Sequence, residues 1–168
     1  MLTEVTDTAT DARRSAVTQT SQSKHCIFRC NQSWYSIPAM EIIEITLMPN
    51  LTRLPDSPKI LLGVCHCRHE FTPVISLEQI TSHADAKRGG PPKHIMILDG
   101  TQRWAIALDE IVSLEPLETV ISQETRGSDG AIHPITGTAM HAEKIIKVLD
   151  PQRLRQLATS AFDAAWIR

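Results

Sequence analysis

The stretch that most constrains this chain is Ile60 to Leu77, ILLGVCHCRHEFTPVISL. Apolar side chains recur at Leu61, Cys65, Cys67, Phe71, Pro73, Ile75 and Leu77, and polar ones at His66, Arg68, Glu70, Thr72 and Ser76. Side chains alternate across a strand, so this period predicts a half-buried strand pair with one core face and one wet face. Arg68-His69-Glu70 interrupts the apolar runs where a hairpin has to reverse. That predicts a turn lifting Arg68 to the rim of a sheet.

The run Gly63-Val64-Cys65-His66-Cys67-Arg68-His69-Glu70-Phe71-Thr72-Pro73-Val74-Ile75-Ser76-Leu77 resembles G-V-I-N-L-R-G-x-x-x-P-V-V-D-L, the pattern of the CheW family of bacterial chemosensory coupling proteins. Cys65 and Cys67 stand where that pattern has Ile and Leu, His66 replaces Asn, His69 replaces the turn Gly, and Ser76 replaces Asp. Where a turn position needs positive φ, His is one of the few other residue types found there with some regularity. Upstream, CNQSWYSIPAMEIIEI is similar to the family's opening segment, whose last strand ends V-x-E-I. Downstream, AIALDEIVSL resembles its V-D-x-V element, and Gly137 … Ile145-Ile146-Lys147-Val148-Leu149-Asp150 … Leu154 resembles its last strand and helix. The resemblance runs from about residue 25 to about residue 157.

Taken in order, residues 1–24 are rich in Thr, Ser, Ala and Asp and have too little apolar surface to order on their own. They hold no apolar run of signal-peptide length, and no later run approaches a transmembrane span, so a cytoplasmic location is expected. Cys26, Phe28 and Cys30 alternate on one side of a strand, Asn31-Gln32-Ser33 turns, and Trp34 to Ile37 returns. Pro38-Ala39-Met40 breaks the ladder, and Glu41 to Ile45 resumes as a strand. Asp56-Ser57-Pro58 predicts a helix start and one helical turn ending at Gly63. Lys87 to Pro92 marks a seam, after which His94–Leu98, an Asp99-Gly100 turn and Gln102 to Leu108 predict another hairpin. Ser122 to Ala131 is a polar loop. Ile132 to Met140 and Ile145 to Leu149 make a last hairpin, and Asp150-Pro151 opens a helix with an apolar stripe at Leu154, Leu157, Ala158, Ala161 and Ala165.

Composition narrows the function. A chain of 168 residues, 42% of them apolar, can bury a real core. Net charge is −2 with both signs interspersed, which gives no electrostatic footprint for nucleic acid or an anionic membrane. Proteins are the expected partners. The four cysteines read as reduced thiols. Cys65, His66, Cys67 and His69 together offer soft ligands for zinc or a thiol sensor, the alternative reading of this stretch. Their spacing argues against it, because in a strand Cys65 and Cys67 point one way and His66 the other, and no C-x-x-C pair exists. There is no Gly-rich phosphate loop, G-x-S-x-G or H-E-x-x-H, and the adjacent carboxylates Asp109-Glu110 face opposite sides. No enzyme is expected.

The resemblance implies a mainly β chain: two SH3-like five-stranded β-barrel subdomains with a C-terminal helix. Within a CheW-like domain at 25–168, the first barrel half would span about 26–80, a linker 81–92, the second half about 93–150 and the helix 151–166. It implies an adaptor without cofactor that couples the cytoplasmic tip of a chemoreceptor to a CheA-type histidine kinase, for chemotaxis or type IV pilus motility. It also implies protein-binding roles for Ile42, Glu44, Gly63, Arg68, Ile111 and Leu114. Gly63 would shape the backbone, Arg68 and Glu44 would supply charge-assisted contacts, and Ile42, Ile111 and Leu114 an apolar groove. On residue type alone, Ile42 reads as core and Glu44 as a solvated edge charge.

Overall fold

The computed structural model describes residues 23–81, 89–121 and 130–166. The expected tail lies outside the described residues up to residue 22, as do most of the linker and most of the polar loop at 122–131. In chain order the elements are β1 (Lys24–Cys30), β2 (Ser33–Pro38), a 3-10 turn (Ala39–Glu41), β3 (Ile42–Leu47), β4 (Leu61–Cys67), β5 (Glu70–Ser76) and α1 (Leu77–Thr81). There follow β6 (His94–Leu98), β7 (Trp104–Leu108), β8 (Glu110–Pro116), β9 (Thr119–Ile121), β10 (Ile135–His141), β11 (Lys144–Leu149) and α2 (Pro151–Trp166). The protein is mainly β, with two SH3-like sheets and a C-terminal helix. One sheet has five strands as expected, ordered β3-β6-β7-β5-β4; the other has six, ordered β8-β1-β2-β11-β10-β9, because the short β9 adds a strand.

The two halves of the sequence are copies of one plan, and each contributes to both sheets. β1–β2 opens in the six-stranded sheet before the chain crosses to β3–β5, while β6–β7 opens in the five-stranded sheet before crossing to β8–β11. The registers match. In β4–β5 Leu61 faces Ile75, a bulge follows, and Gly63 faces Val74; in β10–β11 Ile135 faces Leu149, a bulge follows, and Gly137 faces Val148. β3 and β8 correspond in the same way, with Ile42 opposite Leu98 and Ile111 opposite Phe28, each followed by a bulge. The seam at 81–92 therefore separates two sequence repeats rather than two sheets.

Short connections link or brace the sheet edges. Only Leu117-Glu118 separates β8 from β9, so one bent stretch spans the outer edges of the six-stranded sheet. In the five-stranded sheet the chain leaving β3 reaches Thr52, which exchanges two backbone hydrogen bonds of 2.9 Å with Val64 of β4. Each sheet curls around a small core of its own. Cys65, Val74, Ile95, Ile97, Ala105 and Ala107 fill one, and Ile27, Leu117, Ala139, Ile146 and Val148 the other. A larger core between the sheets includes Phe28, Ile37, Ile75, Met96, Leu98 and Ile106, closed by Leu154 and Ala158 of α2. Asp150 caps that helix, its Oδ1 accepting from the Gln152 and Arg153 amides at 2.9 and 3.3 Å.

Two local expectations are corrected. No helical turn follows Asp56-Ser57-Pro58: Asp56 takes φ 56°, and the Leu61 amide donates to Pro58 O in a simple turn before β4. Four residues could not repay helix nucleation against strand pairing of Leu61. Phe71 is not core but 78% exposed, and Thr72 is buried in its place. Cys67 pairs with Glu70, so the hairpin turns in two residues and facing partners have opposite parity. The inward set passes from Cys65 and Cys67 to Thr72 and Val74.

Candidate protein-binding surface

The β4–β5 turn consists of Arg68 and His69, at φ 47° and 69°. A type I′ turn requires positive φ at both central residues, and its twist suits the flanking strands. His69 thus stands at a turn position that does require positive φ. The corresponding turn of the second repeat does the same, with Ala142 at φ 46° and Glu143 at φ 64°.

This turn carries Arg68 across the open side of the five-stranded sheet. Its Nε lies 2.7 Å from Oε2 of Glu44 on β3, the opposite edge strand. Two residues that the resemblance singled out separately therefore meet. Arg68 is 63% exposed and Glu44 29%, so the arginine covers the carboxylate and still presents most of its own surface. The contact is ionic: Glu44 Oε2 is buried and accepts no aligned hydrogen bond among the described residues. A pair this exposed is worth about 0–1 kcal/mol of stability.

Gly63 sits at the β4 bulge with φ 154°. A Cβ there would come 2.8 Å from Thr52 O and 3.0 Å from Leu51 Cβ, so glycine is what lets the closing stretch approach β4. Its missing side chain shapes the backbone where Thr52 meets β4. Two of the three apolar candidates border the core between the sheets. Ile42 and Ile111 are half-buried against it and occupy equivalent positions of the two repeats. The bulge in β8 pairs Ile111 with Phe28 and Leu114 with Cys26, both core residues, which puts Ile111 and Leu114 on one face. Leu114 is 59% exposed.

Sequence reasoning missed one neighbour. Phe71 stands opposite His66 on the outer face of the hairpin, with ring centroids 5.4 Å apart, and His66 meets His69 edge-on at 6.2 Å. The two-residue turn fixes Phe71 on the His66 side. The four candidate soft ligands do not converge. Cys65 is buried, its thiol donating to Thr72 O and pushed up in pKa by burial; Cys67 packs on the sheet's own core; the two histidines face outward. Cys26 is likewise buried, its pKa pushed up to about 11. Burial of this kind makes a thiol inert. Among the described residues no cluster of three or more His, Cys, Asp and Glu side chains could hold a metal ion.

Residues 24–158 match the CheW-like domain family. The chain belongs to that family. This CheW-like domain is 24% identical over 153 residues to Protein FrzA of Myxococcus xanthus, covering 89% of this chain and 95% of the relative. Its fold is similar to that of the scaffolding protein TtCheW from Thermoanaerobacter tengcongensis, with a TM-score of 0.60 and 18% identity over 77% of this chain and 90% of the other. CheW-like domains are scaffold and adaptor modules of chemotaxis-type signalling. Among the described residues of this one, no helix is long and apolar enough to cross a membrane.

Proposed function

We propose that this CheW-like domain is a non-catalytic cytoplasmic adaptor that holds a CheA-type histidine kinase against the cytoplasmic tip of a chemoreceptor. The reading rests on family membership and, in this chain, on one observation: Arg68 is presented on a two-residue turn and steadied by Glu44 while most of its surface stays exposed. An arginine fixed in this way loses little conformational freedom on binding, and arginines are enriched among residues that dominate interface energies. Gly63 sets the backbone under it. Ile42, Ile111 and Leu114 supply apolar area at the junction of the two sheets for the second partner.

Co-purification tests the assignment. Wild-type protein is expected to retain both a receptor-tip fragment and a CheA-type kinase. Arg68→Asp is expected to lose at least one of them while keeping its thermal transition within a few degrees, consistent with a surface pair worth under about 1 kcal/mol. Full retention of both partners by the folded variant would remove Arg68 from the mechanism.

A further inference from the structure

The two repeats tie their edge strands down with different chemistry. In the first, Arg68 of the β4–β5 turn reaches Glu44 on the edge strand β3. In the second, Cys67 pairing with Glu70 corresponds to His141 pairing with Lys144, so the residue in the place of Arg68 is Ala142. Ala142 has no charge to offer. The tie is made one residue earlier, where Nδ1 of His141, at the end of β10, meets Oε1 of Glu115 on the edge strand β8. Both lie on the inner face of the curled sheet: His141 shares its face of β10 with buried Ala139, and Glu115 shares its face of β8 with Ser113, the partner of buried Ile27. Arginine keeps its charge at every pH at which proteins fold, whereas an imidazole gains and loses its proton near neutrality.

We propose that the His141–Glu115 contact is a proton-operated clasp on β8, closed while His141 is protonated and slackened when it is neutral. A neutral imidazole keeps at most one hydrogen bond to the carboxylate and loses the charge attraction. β8 is an edge strand, paired with β1 alone within its sheet, so a tie across to β10 bears on how often it opens. The other charged groups around the contact are placed differently. Lys144, opposite His141 on β11, has its ammonium 3.8 Å from the centroid of the Trp34 ring. His25, opposite Glu115 on β1, is buried and hydrogen-bonded to Ser36 and Ser23. Lys24, Glu118 and Glu143 are exposed. Leu114 lies between Ser113 and Glu115, so the clasp would regulate the apolar surface assigned to the second partner. That consequence rests on the adaptor reading; the clasp itself does not.

The test is amide hydrogen exchange of the full-length protein, read by NMR at about pH 5.5 and about pH 8, on either side of histidine titration, and corrected for intrinsic exchange. Protection of residues 113–115 in the wild type is expected to fall about two- to fivefold at the higher pH, as loss of one partly exposed ion pair allows. His141→Gln is expected to show the lower protection at both pH values, and His141→Arg, which carries a permanent charge, the higher at both. His25→Gln is expected to keep the wild-type step, since protonation of a buried histidine loosens the protein in acid and so acts in the opposite sense. Wild-type protection that does not fall at the higher pH would overturn the proposal. So would a step that persists in His141→Gln or His141→Arg, or one that disappears in His25→Gln.

Discussion

At Arg68 and His69 the backbone, not side-chain chemistry, decides what the protein presents. Both residues sit at positive φ, and a β-carbon makes that conformation costly for all residues except glycine. His69→Gly is therefore expected to raise stability by about 0.5–1 kcal/mol in a denaturant melt. Gly63→Ala is expected to act in the opposite sense. The added Cβ would lie 2.8 Å from Thr52 O at φ 154°, so a loss of about 2 kcal/mol or more is predicted, with weaker protection of the Thr52 and Val64 amides in hydrogen exchange. His25 supplies a pH dependence. It is buried between Ser36 Oγ and Ser23 Oγ, and burial lowers its pKa below the usual histidine value. The unfolded chain takes up that proton near pH 6.5, before the folded protein does. Stability is thus present above about pH 6.5 and lost as pH falls through the folded value. Thermal melts from pH 7 to pH 5 are expected to fall further for the wild type than for His25→Gln; parallel curves would contradict this.

At the scale of elements, strands were legible where one side chain type marks one face. Cys26, Phe28 and Cys30 are all buried on the face that meets the central core, as their alternation indicates, and α2 runs from Pro151 to Trp166 as its cap and stripe indicate. Parity across a turn was not legible from alternation, because whether Phe71 or Thr72 points inward depends on turn length, and Arg68-His69 does not announce its own. α1 and β9 were missed for a different reason. Five and three residues are too short for a periodic signal, and each owes its conformation to neighbours: α1 to its packing near Tyr35, β9 to pairing with Gly137, Thr138 and Ala139. The docking of α2 is testable directly. Leu154 is fully buried at the start of its stripe, so Leu154→Ala is expected to cost about 2–5 kcal/mol in urea unfolding. A cost under about 1 kcal/mol would mean the helix does not close the core.

The whole molecule is two copies of one strand plan, each crossing between sheets, so neither half of the sequence can form its sheet alone. The repeat was visible as two runs of similar style, but the crossing was not, since it depends on which edges pair rather than on any local pattern. The candidate surface was legible to a similar degree. Resemblance singled out Glu44 and Arg68 although they lie on opposite edge strands, and only the curl of the sheet explains why they meet. The exchange also ties together the two sheets that carry the proposed surfaces, with Arg68 on one and Ile111 and Leu114 on the other. The most direct test of that account is equilibrium binding of the purified protein to a CheA-type kinase and to a receptor-tip fragment, for the wild type and Arg68→Asp. The account predicts micromolar or tighter binding by the wild type, weakened about tenfold or more for at least one partner by the substitution. Undiminished affinity of a folded Arg68→Asp protein for both, or no binding of the wild type to either, would contradict it.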